Sequence, residues 1–514
     1  MSKFLRGTMI LLAAGFITRI LGFINRIVIA RFIGEEGVGL YMMAFPTLML
    51  VITITQLGLP VAISKHVAEA EAQGNFKKIR NILVVSLTTT FTLSLFFTPA
   101  LILLSPYLAD TLFTDNRTRF PLLAIAPIVP IVAVSSVLRG YFQGRQNMKP
   151  AAISQVLEQL VRITLIALLT RIFLPYGIEY AAAGAMLASV LGELISLLYL
   201  FTTFKFRKKF PIRKEFFKQV KEGKSTFQEL MDIGLPTLGS RLIGNISWFF
   251  EPIVVSHSLA LAGVGAILAT KQYGSLTGFA MPLLFLPSFI TYSLSTSLVP
   301  AISEANSRND KGLIEYRLQQ ALRFVFLTGG LAVVILYVFA EPLMEFMYGS
   351  TSGSVFIKIM APFFLFHYYQ GPLQATLQAL DLAKAAMINS LIGSIVKLAV
   401  IFVLASQPQF GINGAAIGII VGIVLVTMLH FATVLKKISF TFYVREYLKG
   451  FIVMGFSGVI GYFAYSHLQM NSSIYEIMIG IFITFAAYLL FLLLFRLITK
   501  DDLARIPILG NFIS

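Results

Sequence analysis

No cysteine occurs in the 514 residues, which excludes disulfides, thiolate metal sites and a cysteine nucleophile. The five histidines, His66, His257, His367, His430 and His467, are too scattered to read as a metal cluster. Charge is also scarce. Asp, Glu, Lys and Arg make up 13% of the chain, too little to cover a water-facing surface, so neither a soluble globular protein nor a disordered one is expected. There is no Gly-rich phosphate loop followed by Lys-Ser or Lys-Thr, and no His-Glu-x-x-His. The outer loops are too short for a glycosyltransferase domain. The chain is therefore expected to be no enzyme and to hold no cofactor or metal, with any uphill work drawn from an ion gradient, the membrane potential or consumption of a product.

What is abundant is apolar: 57% of the residues, with a mean hydropathy of +0.82. A bilayer core about 30 Å thick takes roughly 20 such residues per helix. Apolar runs near 7–33, 38–63, 81–105, 119–142, 151–174, 179–203 and 228–255, then 268–300, 319–340, 355–380, 385–405, 411–435, 448–467 and 474–498, predict an all-α polytopic protein with fourteen transmembrane helices. The first run is kept as a span rather than a signal peptide, because Arg19 and Arg26 interrupt it and no small-residue cleavage motif follows.

Lys and Arg number 41 against 24 Asp and Glu, a net charge of +17. On a soluble module this excess suggests nucleic acid, but no basic stretch here carries interleaved aromatics, and no nucleic-acid partner is expected. In a membrane protein, basic residues collect in cytoplasmic loops. With both termini inside, the inner segments hold most of the basic residues, while the outer loops hold only Arg31, Arg117, Arg119, Arg171 and Lys271. The longest inner segment, 205–227, contains Lys205, Arg207, Lys208, Lys209, Arg213, Lys214, Lys218, Lys221 and Lys224. It reads as a linker lying against anionic membrane lipids.

The sequence repeats itself. Thr18-Arg19-Ile20-Leu21-Gly22 matches Ser240-Arg241-Leu242-Ile243-Gly244, and Pro60-Val61-Ala62-Ile63-Ser64 is echoed by Pro300-Ala301-Ile302-Ser303. Gln143, Lys149 and Arg162 recur as Gln378, Lys384 and Lys397; Gly177, Ala181, Ala182 and Gly184 recur as Gly411, Ala415, Ala416 and Gly418. The offsets stay between 222 and 240, so a six-helix unit is duplicated and two helices are appended. The expected layout is a first half at 1–204, the linker at 205–227, a second half at 228–436, and helices thirteen and fourteen with a cytoplasmic tail at 437–514. Parallel repeats of this kind are a transporter architecture, with the substrate between halves that rock.

A charge in mid-bilayer costs several kcal/mol unless it meets a partner or water. Arg19 lies near the middle of the first span, Arg241 holds the equivalent place in the seventh, and Arg26, seven residues after Arg19, projects from nearly the same face. Internal pairing with Glu251, Glu193 or Asp232 is one explanation. The other is a water-filled cationic cavity that takes a phosphate or pyrophosphate through guanidinium forks. Glu158 and Arg162 stand at i, i+4 and are expected to neutralise each other. The equivalent pair in the second half is Gly393 and Lys397, which leaves Lys397 without that helix partner and makes it a further candidate.

Thr18-Arg19-Ile20-Leu21-Gly22-Phe23, Gly58-Leu59-Pro60-Val61-Ala62-Ile63-Ser64-Lys65 and Arg139-Gly140-Tyr141-Phe142-Gln143-Gly144, with Gly34-Glu35-Glu36-Gly37-Val38-Gly39-Leu40-Tyr41, resemble the polysaccharide-flippase branch of the multidrug/oligosaccharidyl-lipid/polysaccharide exporter superfamily. The likeness covers essentially the whole chain and is nearest to members from spore-forming bacteria. It implies flipping of a lipid-pyrophosphate-linked cell-wall precursor, lipid II for spore cortex peptidoglycan. It also implies a cationic cavity and a lipid-tail groove at helices thirteen and fourteen. Arg19 and Lys271 match arginines of the lipid II flippases; the second helix-one arginine falls at Asn25, beside Arg26, and the helix-two arginine falls at the apolar Met49 and Leu50. Two other functions compete. A cation-coupled multidrug exporter of the same fold would want acidic cavity residues. A scaffold recruiting cell-wall synthesis proteins would leave the duplicated arginines unexplained.

Overall fold

A computed structural model describes residues 3–207, 223–467 and 473–498. Linker positions 208–222 and the predicted tail at 499–514 lie outside the described residues, whose regular elements are all helices, with no strand. The first helix, α1 (Lys3–Gln56), has 54 residues, about 80 Å as a single rod and more than twice a bilayer. It is not one rod: Gly34 breaks it at φ 62° and ψ −170°, a conformation that glycine adopts without a Cβ penalty. The arms at 3–33 and 35–56 are each long enough to be a span.

After a turn in which Leu57 and Gly58 are both left-handed come α2 (Leu59–Ala72), α3 (Phe76–Tyr107), α4 (Arg119–Ile125), α5 (Ile128–Gly144), α6 (Met148–Phe173) and α7 (Ile178–Arg207). Beyond the linker are α8 (Lys224–Leu261), α9 (Ala266–Tyr273), α10 (Met281–Phe285), α11 (Ser288–Ser307), α12 (Lys311–Val338) and α13 (Ala340–Tyr348). The chain continues through α14 (Ser354–Ala379), α15 (Ala383–Ala405), α16 (Ile412–Leu435), α17 (Val444–His467) and α18 (Ser473–Leu494).

Among the described residues nine helices are long and apolar enough to cross a membrane, and a tenth span is a pair bent by 52° between Phe285 and Ser288. That count takes α1 and α2 together and omits α6, α8 and α14, which carry intramembrane charge or a His-Tyr-Tyr-Gln run. Counting the arms of α1 separately and restoring those three is consistent with the fourteen predicted spans.

The duplication is visible in the backbone. Gly74 and Asn309, Thr114 and Gly349, and Gln146 and Asp381, each pair 235 residues apart, all have positive φ. Asn75 caps α3 by accepting from the Lys78 N–H at 2.9 Å, and Asp310, again 235 residues on, caps α12 by accepting from the Leu313 N–H at 2.9 Å. The cores recur as well. Val67, Leu83, Phe142 and Leu200 are fully buried in one cluster, and their counterparts Ile302, Leu318, Leu377 and Val434 are fully buried in another.

The chain forms two compact units, 1–278 with 405–412, and 279–404 with 413–514. The seventh span falls in the first unit because α8 is tied to α1: Asn245 Nδ2 donates to Thr53 Oγ1 at 2.6 Å, and Trp248 meets Phe45 edge-on with centroids 5.6 Å apart. In the second unit α17 and α18 pack against α12 through Val453, Tyr488 and Leu492, and the Tyr488 hydroxyl donates to the Leu327 carbonyl at 2.8 Å. Phe451, Phe456, Phe463 and Phe482 are left exposed on these appended helices.

Candidate functional site

In the first unit Arg19 and Arg241 both lie on exposed faces, midway along their spans. Small residues flank each. A Cβ added at Gly15 or Gly22, or at Gly239 or Gly244, would meet nothing within 4 Å, so both arginines stand on open stretches of helix. Lipid chains are a poor neighbour for such a face, since a mid-bilayer guanidinium costs several kcal/mol without water or a partner. Arg26 is half-buried about two turns further along α1, and Asn25 beside it is buried.

A second set of charges is internal. Arg139 on α5 donates through Nη2 to Glu193 of α7, at 2.9 Å to Oε1 and 3.1 Å to Oε2, and to the Ser196 hydroxyl at 3.0 Å. The same nitrogen reaches Glu158 Oε2 of α6 at 3.3 Å, Arg162 also donates to Glu158, and the Ser135 hydroxyl donates to Glu193. Glu158 is 9% exposed and Glu193 3%. The expected Glu158–Arg162 pair is present, but as one edge of a four-charge cluster joining three helices. Glu193, considered above as a neutraliser of Arg19 or Arg241, is held by Arg139.

The sequence offered one signal for this cluster: Arg139 and Glu193 are intramembrane charges of opposite sign. Room for it comes from Gly192, where a Cβ would sit 2.9 Å from the Glu158 carbonyl oxygen. In the second half the volumes are exchanged. Gly393 replaces Glu158, Val426 replaces Gly192, and a Cβ on Gly393 would meet Val426 Cγ2 at 2.1 Å. Lys397 is half-buried there, its Cβ 2.8 Å from the place a Gly422 side chain would occupy.

Lys271 lies at one end of the first unit, with its Nζ 3.9 Å from Glu35 Oε2 and its side chain 53% exposed. A clasp closes that end: Arg117 binds Asp115 (Nη2 to Oδ2, 2.9 Å) and Glu36, and the Thr270 hydroxyl donates to Asp115 Oδ2 at 2.7 Å. Burial alone would raise the Asp115 carboxyl. The hydrogen bonds from Arg117 and Thr270 and the Arg117 charge outweigh it and hold Asp115 below its ordinary value. The structure thus puts Arg19, Arg26, Arg241 and Lys271 in one unit and Lys397 in the other. Among the described residues no group of three or more His, Asp or Glu is placed to hold a metal ion.

A helical bundle of two related six-span repeats with intramembrane arginines is a multi-pass membrane protein of the transporter type. The chain belongs to the polysaccharide biosynthesis protein family, whose profile matches residues 4–306, within the multidrug/oligosaccharidyl-lipid/polysaccharide exporter superfamily; residues 259–403 also match the MatE profile. It is 61% identical to stage V sporulation protein B of Bacillus subtilis (strain 168) over 511 residues, 99% of each chain. It is 24% identical to lipid II flippase MurJ of the same organism, over 92% of each. Its fold is similar to that of lipid II flippase MurJ in an inward closed conformation, with a TM-score of 0.68 at 17% identity, covering 93% of this chain and 97% of that one. An inward-facing multidrug resistance MATE family transporter gives a TM-score of 0.69 at 17% identity, covering 82% and 96%.

Proposed function

We propose that the protein flips a lipid-pyrophosphate-linked glycan, lipid II destined for spore cortex peptidoglycan, across the cell membrane by alternating access, with both termini in the cytoplasm. The observation that carries this is the duplicated arginine. Arg19 and Arg241 stand at equivalent mid-span positions, exposed, beside glycines with open space around them. An exposed cationic face midway along two spans suits an anionic headgroup, because guanidinium forks pair with pyrophosphate oxygens. Arg26, Lys271 and Lys397 are further candidate contacts, and the exposed apolar faces of α17 and α18 would flank the prenyl tail. No chemical step is required, so the protein acts as a carrier and not as an enzyme. The names of the relatives, a sporulation protein and a lipid II flippase, support the same substrate.

Full-length protein in proteoliposomes should bind lipid II in preference to a lipophilic cation such as tetraphenylphosphonium. Removal of one charge-assisted contact costs about 1.5–3 kcal/mol, so Arg19→Ala should weaken lipid II binding about tenfold or more without lowering the amount of protein in the membrane. The MATE-like fold favours one alternative, a cation-coupled drug exporter. Binding of the cation with indifference to lipid II would establish it and overturn the flippase assignment.

A further inference from the structure

A second cationic feature lies in the second unit, apart from the arginines. A cavity of about 340 Å³ opens where α15 begins and α16 ends. Leu382, Ala385 and Ile388 give it an apolar wall, Asn389 and Thr433 a polar floor, and Lys436 and Lys437 complete the lining. The floor is fixed. Asn389, 8% exposed, donates from Nδ2 to Thr433 Oγ1 at 2.9 Å and lies 3.3 Å from His430 Nδ1, while the Thr433 hydroxyl donates to the Leu429 carbonyl at 2.7 Å. Both lysines are exposed, and neither makes an ion pair among the described residues. The first turn of α15 adds the partial positive charge of a helix N-terminus and N–H groups that have no acceptor within the helix.

Duplication does not account for these cations. At the equivalent places in the first half, 234 or 235 residues earlier, stand Ser154 for Asn389, Tyr199 for Thr433, and Thr202 and Thr203 for Lys436 and Lys437. The surrounding packing is nevertheless the same, since Leu200 and its counterpart Val434 are both fully buried. One half carries a basic pocket where the other carries hydroxyls.

We propose that this cavity binds the headgroup of an anionic phospholipid, with its phosphodiester between Lys436 and Lys437 and the first methylenes of an acyl chain against Leu382, Ala385 and Ile388. The shared chemistry is a phosphate held by two ammonium groups, which a free phosphate also offers. Three features favour the lipid: an apolar wall that a free anion cannot use, a position at the ends of two membrane helices, and more room than a phosphate fills. The site belongs to the end predicted to face the cytoplasm, where anionic headgroups are concentrated. It is independent of the substrate proposed above.

The test uses the full-length protein in phosphatidylcholine nanodiscs with a minor fraction of phosphatidylglycerol, reading retained lipid by native mass spectrometry and affinity by titration. Wild type should retain phosphatidylglycerol. Each lysine near an anionic headgroup contributes about fivefold, so Lys436→Gln with Lys437→Gln should bind about thirtyfold more weakly. The charge-matched pair Lys65→Gln with Lys311→Gln, also exposed but remote in sequence from the pocket, should behave as wild type. Three results would overturn the proposal. Equal loss in both double variants would mean diffuse surface attraction, no loss in either would mean no site, and displacement of the lipid by inorganic phosphate would mean a free-anion site.

Discussion

Glu158 and Glu193 are buried carboxylates whose cost is met by two arginines, and Arg139 serves both. If Arg139 is replaced by Met, Glu193 loses its arginine, and Arg162 is left as the one arginine of the cluster, on Glu158. Breaking a buried ion pair by removing one partner costs about 3–5 kcal/mol, so Arg139→Met should lower the thermal midpoint of the purified protein in detergent and its yield in membranes. The double variant Arg139→Met with Glu193→Met removes both charges and should recover part of that loss. Equal destabilisation in the single and double variants would mean that the shape of the arginine matters and not its charge. The sequence made the Glu158–Arg162 pair legible because helix geometry fixes i, i+4 neighbours. Arg139 and Glu193 are 54 residues apart on different helices, and nothing local fixes which faces of α5 and α7 turn toward each other.

Spans and their order were legible because bilayer thickness imposes a length on every apolar run, and the break at Gly34 fell in the predicted gap between 33 and 38. The break at Leu57–Gly58 was not, since it interrupts an apolar stretch predicted as one helix over 38–63. Closeness between elements was hidden as well. A Cβ on Gly39 would lie 2.0 Å from the Thr270 carbonyl oxygen, and one on Gly274 would lie 2.0 Å from the Glu35 carbonyl oxygen. The second arm of α1 and the end of α9 therefore touch backbone to backbone, as small residues allow in membrane helices. Backbone cannot move aside as a side chain can. Gly39→Val and Gly274→Val should each abolish accumulation of folded protein, read by size-exclusion chromatography of a fluorescent fusion. Gly455→Ala, whose added methyl meets nothing within 4 Å, should leave the elution profile unchanged. A monodisperse peak from Gly274→Val at the wild-type level would refute this contact.

At the scale of the molecule, the repeat settles a relation that hydropathy leaves open. An even number of spans per half returns the chain to the side it started from, so equivalent turns of the two halves must lie on the same side of the membrane. The left-handed pairs Gly74 with Asn309 and Gln146 with Asp381 mark one side, and Thr114 with Gly349 the other. Basic residues then assign the sides. Lys77, Lys78, Arg80, Lys149, Lys311 and Lys384 cluster in sequence at the first set of turns, for which the positive-inside rule predicts a cytoplasmic location. The absence of cysteine makes this testable on the isolated labelled protein, since any introduced thiol is the only one in the chain. Ser225, at the start of α8, and Gln409, between α15 and α16, are both exposed. An impermeant maleimide added to intact cells should label Gln409→Cys, and it should label Ser225→Cys only after the membrane is opened. Labelling of Ser225→Cys in intact cells, with Gln409→Cys protected, would invert the molecule. The lysine pocket at α15 and α16 would then face the outer leaflet, and the direction of the proposed flipping would have to be reassigned.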